Sequence, residues 1–457
     1  MKRIIALILA LATVFALIGC GEKAPEKGES EKKDDIISVP EKQETDKKEE
    51  EPIVPADTVI SLIALGDNIV HTPIYSQAKK AGTDGKLDFS AIYENITDYV
   101  KAKDVAYINV ETLIGGDKYG FSSYPNFNSP EDMGTFLVDG LGCDVMNLAH
   151  NHMLDAPGSD KALYLRNCAN FFEEKGVTPI GYYKSEEDTQ NIKVTEVKGV
   201  KIAWLSYTYD DHIAYDQNGN GKVTEADTEI SDKFTNKQSS LNGHRVGSSP
   251  DTYIPFMKKE LIEKQVKIAK EIADVVIVSA HWGVEDAYNP TNGYFPPWAD
   301  QKYYGQYFAD LGVDVIIGMH PHVIQPTEWL EGKDGNKCLC AYGLGNLISG
   351  MLWGRNMVGA MFEFEIFKDG ASGEISIREP YMIPTVTQYY AGTKNFKIIP
   401  FSMYSEELAS KHGCKAKDNT IASRGKKFSY AAIKEKIDRT YSEEMLHEGY
   451  GFGKPAA

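Results

Sequence analysis

The sequence predicts an α/β fold, and three observations carry that prediction. From Val59 onward, segments of helical periodicity alternate with short apolar runs, the order expected of helices that cover a largely buried sheet. The apolar runs are four to eight residues long and rich in β-branched residues, which suits buried strands. Polar residues able to hold metals fall just past the ends of those runs, at the edge where open α/β sheets bind ligands.

The chain opens with a different kind of segment. Lys2 and Arg3 precede an apolar run from Ile4 to Leu17, too short to span a bilayer comfortably and typical of a leader peptide. Leu17-Ile18-Gly19-Cys20 resembles the bacterial lipobox, which implies cleavage before Cys20 and lipid on that residue. Residues 1–20 are therefore expected to be a lipoprotein signal peptide, and the mature chain to lie lipid-anchored on the extracytoplasmic face of the cell membrane. Residues 21–56 read as a disordered charged tether. Positions 21–55 hold 12 acids, 7 Lys, four Pro and no aromatic residue, too little apolar surface to offset the entropy of ordering.

Within residues 57–400, Val59–Leu65 reads as a strand ending at Gly66-Asp67, Phe89–Lys101 as a helix and Val105–Val110 as a strand. Ser129-Pro130 opens a helix that stops near Gly140, followed by a strand over Asp144–Leu148. Pro255–Ala273 has helical periodicity and feeds a strand at Val275–Ser279; Trp298–Leu311 closes at Gly312 and feeds Val313–Ile317. Val358–Phe367 and Glu374–Arg378 flank Asp369-Gly370 as a strand pair. Residues 401–457 form a C-terminal helical extension, with a helix over Tyr430–Tyr441 and a frayed tail from Gly449.

Composition excludes several classes. The 457 residues are 42% hydrophobic and carry a net charge of −17, so the chain has a sizeable core and lacks the cationic surface a nucleic-acid binder needs. The tether carries −5 and the leader +2, which leaves −14 on residues 56–457. Cys143, Cys168, Cys338, Cys340 and Cys414 are odd in number and irregular in spacing, which is no disulfide framework.

The reactive residues fall in an ordered set: Asp67 and His71 after the first strand; Asn109 and Glu111 after the second; His150, Asn151, His152 and Asp155 after the third; then His281, and finally His320 and His322. Carboxylate, amide and imidazole without thiolate suit zinc, iron or manganese, and the ligands suffice for two divalent ions. Alternating His320 and His322 project to one side of an extended segment.

Gly66-Asp67…His71, Asn109-x-Glu111, Asn151-His152-x-x-Asp155, Ala280-His281-Trp282-Gly283, Gly318-x-His320-Pro321-His322 and Tyr342-Gly343-Leu344-Gly345-Asn346 together resemble the bacterial capsule-synthesis CapA family. That family serves poly-γ-glutamate biosynthesis and export and is related to calcineurin-like metallophosphoesterases. The resemblance implies a metallophosphoesterase-like layered α/β/β/α sandwich, here with a short C-terminal β/α extension. It also implies roles. Asp67 and His71 would hold the first metal, although three residues separate them where phosphoesterases have one. Glu111 or Asn109 would supply the bridging group, Asn151 would bind the second metal, and His281, His320 and His322 would be the remaining imidazole ligands. His152 would protonate the leaving oxygen with Asp155 orienting it, while His150, Tyr342 and Asn346 would line the site.

Residues 210–245 read as an insertion containing a second metal signal. Asp216, Asn218, Asn220, Lys222 and Asp227, with Gly221 at the sixth position and Val223 at the eighth, fit a calcium loop of the EF-hand or dockerin kind.

Two functions follow as expectations. One is a lipid-anchored metal-dependent hydrolase acting on a phosphoester or on capsule polymer. The other is a non-catalytic accessory that binds an anionic polymer beside membrane synthase or export subunits. Arg245 and Arg355 are the arginines nominated near the site.

Overall fold

The computed structural model describes residues 55–208, 240–246, 249–285, 295–416 and 427–452. The leader, nearly all of the tether and the 216–227 calcium loop lie outside the described residues. Two sheets make the frame. In chain order the first collects β1 (Thr58–Ile69), β2 (Val105–Asn109), β3 (Val145–Asn147) and β4 (Thr178–Ile180), with helices α1 (Thr72–Ala81), α2 (Ser90–Lys101), α3 (Glu131–Thr135) and α4 (Leu163–Glu174) between them. The second takes β5 (Lys193–Val197) and β6 (Val200–Thr208). After a short hairpin, β7 (Ser240–Leu241) with β8 (His244–Arg245), it continues through α5 (Lys259–Ile272), β9 (Val275–His281), α6 (Ala299–Leu311), β10 (Val315–Met319), β11 (Thr327–Glu331) and β12 (Lys337–Ala341). The chain then returns to the first sheet as β13 (Asn346–Ser349), β14 (Val358–Lys368), β15 (Ile375–Tyr390) and β16 (Lys394–Pro400). Strand order is β16-β15-β14-β1-β2-β3-β4, with β13 also paired to β1, in the first sheet, and β11-β12-β10-β9-β6-β5 in the second.

The sheets face one another through apolar residues and a few satisfied polar ones. Tyr107 of β2 stacks on Trp204 of β6 at 6.1 Å, and its hydroxyl lies 2.6 Å from Ser279 Oγ of β9. Trp204 is 1% exposed and its indole N–H donates to Thr195 Oγ1; burial of a side chain that large is worth several kcal/mol, about 3–5 if truncated to alanine. On the outer face of the second sheet, Leu261, Val266 and Ala269 of α5 meet Tyr304 and Phe308 of α6. Ile92 and Val100 of α2 and Phe172 of α4 belong to the larger core of the first sheet. This is the layered α/β/β/α sandwich. Helices cover each outer face because parallel strands here are apolar on both sides.

Several elements differ from the sequence reading for identifiable reasons. β1 runs four residues past Leu65, because Gly66 lets it shift register and pair with β13. The helix expected from Pro255 starts only at Lys259; residues before it are extended and bridge Thr208 to Phe256 and Tyr183 to Tyr253. The strand expected at Glu374–Arg378 continues to Tyr390, since a left-handed Glu379 (φ 48°) and a register shift between Glu363 and Glu365 absorb Pro380. The β5–β6 hairpin and β11 to β13 are additions that the sequence reading lacks.

The C-terminal extension packs back on the first sheet through α7 (Glu406–Lys411), α8 (Gly413–Ala416) and α9 (Tyr430–Thr440). Ser405 and Ser429 cap α7 and α9 by accepting from the Leu408 and Ala432 amides. Glu363 of β14 anchors the end of the chain: it accepts from Lys103 Nζ at 2.6 Å, from the Tyr99 hydroxyl and from His447 Nε2. Burial alone would raise its carboxyl, yet the bonds from His447, Lys103 and Tyr99 hold it below the ordinary range.

His412 makes a second anchor. Its Nε2–H donates to the Thr387 carbonyl at 2.9 Å and its Nδ1 accepts from the Cys414 amide at 3.0 Å. Accepting at Nδ1 requires the neutral ring, and burial lowers its pKa to about 4. With the folded value below the unfolded one, its contribution is present above about pH 6.5 and is lost as pH falls through about 4, amounting to about 3 kcal/mol. Urea midpoints measured at pH 7 and 4.5 should therefore fall less steeply with acid in His412→Gln than in the natural chain; equal slopes would contradict this.

Candidate metal centre

Four strand ends meet where the two sheets open. Asp67 sits at a register shift near the end of β1, with its amide donating to the Gly345 carbonyl at 2.9 Å. A Cβ on Gly66 would lie 2.2 Å from that same carbonyl, so only glycine allows the approach. Asn109 ends β2 and donates to Asp67 Oδ1 at 2.7 Å and to Glu111 Oε2 at 3.2 Å. Asn147 ends β3 and donates in turn to Asn109 Oδ1 at 2.8 Å. An amide chain thus holds two buried carboxylates in place from below.

The histidines come from the loop after β10. His320 (φ 97°) and His322 (φ 55°) both adopt left-handed backbone, which costs a non-glycine residue of order 1–3 kcal/mol and is kept where the surroundings over-determine it. One such restraint is visible: Asn356 Nδ2 donates to the His322 carbonyl at 3.1 Å.

Two groups of ligand atoms result. Asp67, Glu111 and His322 form one, and Glu285, His320 and His322 the other, with all ligand atoms of each group within 4.8 Å of one another. His322 belongs to both: Nδ1 lies 3.0 Å from Asp67 Oδ2 and Nε2 lies 3.5 Å from Glu111 Oε1. Burial alone would lower the His322 pKa, but the Glu111 charge and the Asp67 bond outweigh it and raise it to about 10. The Glu111 carboxyl is raised well above the usual range, first by burial and then by Asp67.

The neighbouring imidazoles have the opposite character. Burial, and then His320, push His281 down; burial, and then His152, push His150 down. Both rings are neutral near pH 7; His281 keeps its lone pair on Nδ1, whereas His150 spends its own accepting from the His152 amide at 3.1 Å. His281 Nε2 lies 3.2 Å from Asn151 Oδ1, and the His281 and His320 ring centres are 4.6 Å apart. Among the described residues His281 Nδ1 and His150 Nε2 are buried without a hydrogen bond. Orphaned buried groups cost about 1–3 kcal/mol each, and carboxylate, amide and neutral imidazole converging in one dry place fit a divalent cation.

His152 stands apart from these groups. Its Nδ1–H donates to Asp155 Oδ2 at 2.8 Å, and Asp155 also accepts from the Phe127 amide. At 8% exposure it is the most reachable of the buried site histidines, against 3% for His322 and 0% for His281 and His320. The nitrogen of Asn242, on the β7–β8 turn, lies 3.1 Å from His152 Nδ1, and Asn151 Nδ2 donates to Asn242 Oδ1. The insertion thus ends at the site.

Not every expected residue joins the groups. His71 is in neither; its Nδ1 accepts from the Gly350 amide at 3.1 Å, its ring packs edge-on against Phe127, and burial lowers its pKa to about 4. Tyr342 turns to the helix side of the second sheet, where it stacks on Trp282 and its hydroxyl donates to Glu328, so it does not line the site. Asn346 pairs with Asp67 in register and donates to the Asn356 carbonyl. Arg245 is on β8, and Arg355 adjoins Asn356 in the chain. Glu285, Asn147, Asn242 and Asn356 escape the sequence reading. Glu285 has a signal, an acid four residues past His281; Asn147 has one too, a polar residue closing an apolar strand.

Residues 61–351 match the family described as bacterial capsule synthesis protein PGA_cap. The chain is similar to the PGA biosynthesis protein CapA of Bacillus subtilis (strain 168), with 23% identity over 317 residues, covering 69% of this chain and 70% of that protein. It is likewise similar to the capsule biosynthesis protein CapA of Bacillus anthracis, with 24% identity over 322 residues, covering 68% and 65%. Among solved structures, a 5'-nucleotidase precursor from Thermus thermophilus aligns at TM-score 0.39 and 13% identity over 83% of this chain and 58% of that one, so less than two thirds of the nucleotidase's length is spanned. A phosphatase from Mycoplasma pneumoniae aligns at 0.38 and 12% over 72% and 94%.

Proposed function

The chain belongs to the family of bacterial capsule synthesis proteins, and from that premise we propose that it is a metal-dependent hydrolase of capsule or poly-γ-glutamate synthesis, export or anchoring. The observation that carries the proposal is the pair of ligand groups sharing His322, built from Asp67, Glu111, Glu285 and His320. Asn151 and His281 extend that set toward a second ion, which makes a dinuclear centre of manganese, iron or zinc the reading we favour. Divalent ions held there supply Lewis acidity toward a phosphoryl or carbonyl oxygen.

The chain's own residues do the rest. Asn109 and Asn147 orient the two carboxylates, and burial keeps water from competing for them. Asp155 fixes the His152 proton on Nδ1, so Nε2 is the atom that delivers a proton to a leaving oxygen. Asn242, held through its Oδ1 by Asn151, lies against that ring.

Placement at the cell surface is supported by Lys2, Arg3, the apolar run and Cys20, and we include lipid anchoring in the proposal. Among the described residues no helix is long and apolar enough to cross a membrane. Calcium at Asp216–Asp227, as a structural brace, and membrane synthase or export subunits as partners complete the reading.

Full-length protein supplied with Mn²⁺, Fe²⁺ or Zn²⁺ should hydrolyse a phosphoester or cleave poly-γ-glutamate, and Asp67→Asn should not. Metal bound in stoichiometric amount without turnover of either substrate would move the assignment to a non-catalytic polymer-binding accessory.

A further inference from the structure

Beyond the matched segment 61–351, the C-terminal helix α9 carries a lysine in an unusual place. Lys436 is 4% exposed, and lysine is almost never buried without a counter-charge. Its ammonium has three donors, yet among the described residues it makes one hydrogen bond, to the Arg355 carbonyl at 3.3 Å, and lies over the Phe295 ring at 4.5 Å. Among the described residues no carboxylate pairs with it. The residue whose carbonyl it holds is itself a cation: Arg355 is half-buried and stacks on Trp353 at 5.2 Å. One position on, Asn356 donates to the His322 carbonyl. Lys436 is thus bonded to the backbone of the residue that precedes the asparagine bracing His322, and among the described residues no acid pairs with its ammonium, in a chain that is acidic overall.

We propose that Lys436 and Arg355 form an oxyanion-binding corner beside the metal centre, receiving a carboxylate or phosphate of the substrate. The inference rests on the proposed function in one respect, that the substrate of the metal centre is anionic. Burial, and then Arg355, lower the Lys436 pKa to about 7, which is the response of a cation lacking its counter-charge; an arriving oxyanion supplies that charge and favours the protonated ammonium. A planar guanidinium and a compact ammonium together recognise a carboxylate and a phosphate alike. The corner also gives the C-terminal extension a part in the site, because α9 brings one half of it.

The test uses full-length protein and two probes, inorganic phosphate and a γ-linked glutamate oligomer, with binding followed by calorimetry at two salt concentrations. Lys436→Met should weaken binding of the preferred oxyanion by about tenfold or more. Lys436→Arg should stay within about threefold of the natural chain, and metal content should be unchanged in both. A thermal midpoint for Lys436→Met at or above that of the natural chain establishes that the loss is not unfolding. If phosphate binds in a Lys436-dependent way while the oligomer does not, the corner stands and the polymer reading falls. If the oligomer binds equally well to Lys436→Met and the natural chain, the corner is overturned and the polymer reading stands. Binding of neither probe by the natural chain overturns the corner.

Discussion

Replacing His322 by alanine is expected to lower the stability of the metal-free protein by about 3–5 kcal/mol at neutral pH. The imidazolium lies between two carboxylates that are both 0% exposed, 3.0 Å from Asp67 and 3.5 Å from Glu111. Removing it leaves the buried Asp67 and Glu111 carboxyls without their counter-charge, with Asn109 as their shared donor and with Glu111 driven to its neutral form by burial and Asp67. The strain relieved at a left-handed backbone position is too small to compensate. Urea unfolding in the presence of a chelator measures the effect, and Asp67→Asn in the same background should recover part of it by removing the buried acid left without a counter-charge. A His322→Ala protein as stable as the natural chain would show that the three groups do not interact as placed.

His152→Ala should have the opposite profile, with stability and metal content close to natural and turnover reduced by about 10²–10⁴-fold. It belongs to neither ligand group, its Nδ1 is committed to Asp155, and it is the buried site histidine most open to solvent. Comparing metal content with rate separates the two roles. Loss of metal along with rate in His152→Ala would make it a ligand, and an unchanged rate would remove it from the chemistry.

Strand ends are legible in the sequence because apolar runs that finish in Asp, Asn or His are hard to explain otherwise. Asp67, Glu111, His320 and His322 can be singled out on that basis, and the structure brings those four together. What the sequence does not convey is direction. His71 follows the same strand as Asp67 but caps α1 and turns to the Gly350 amide. Tyr342 lies in a motif with Asn346 yet faces the opposite side of its sheet, because alternate residues of a strand point to opposite faces. Contacts across long separations are equally hidden: Asn242 reaches His152 across 90 residues and Asn356 reaches His322 across 34. Elements are legible where caps and periodicity agree, as in α6 with its left-handed Gly312. They are hidden where a bulge interrupts the alternation, as at Glu379 in β15.

Whether these side chains hold divalent metal is tested most directly by elemental analysis of full-length protein, stripped with chelator and then reloaded. About two equivalents of manganese, iron or zinc per chain are expected, falling below one in the His320→Ala/His322→Ala double variant. No stoichiometric transition metal in the natural chain after metal supplementation would contradict the metal centre.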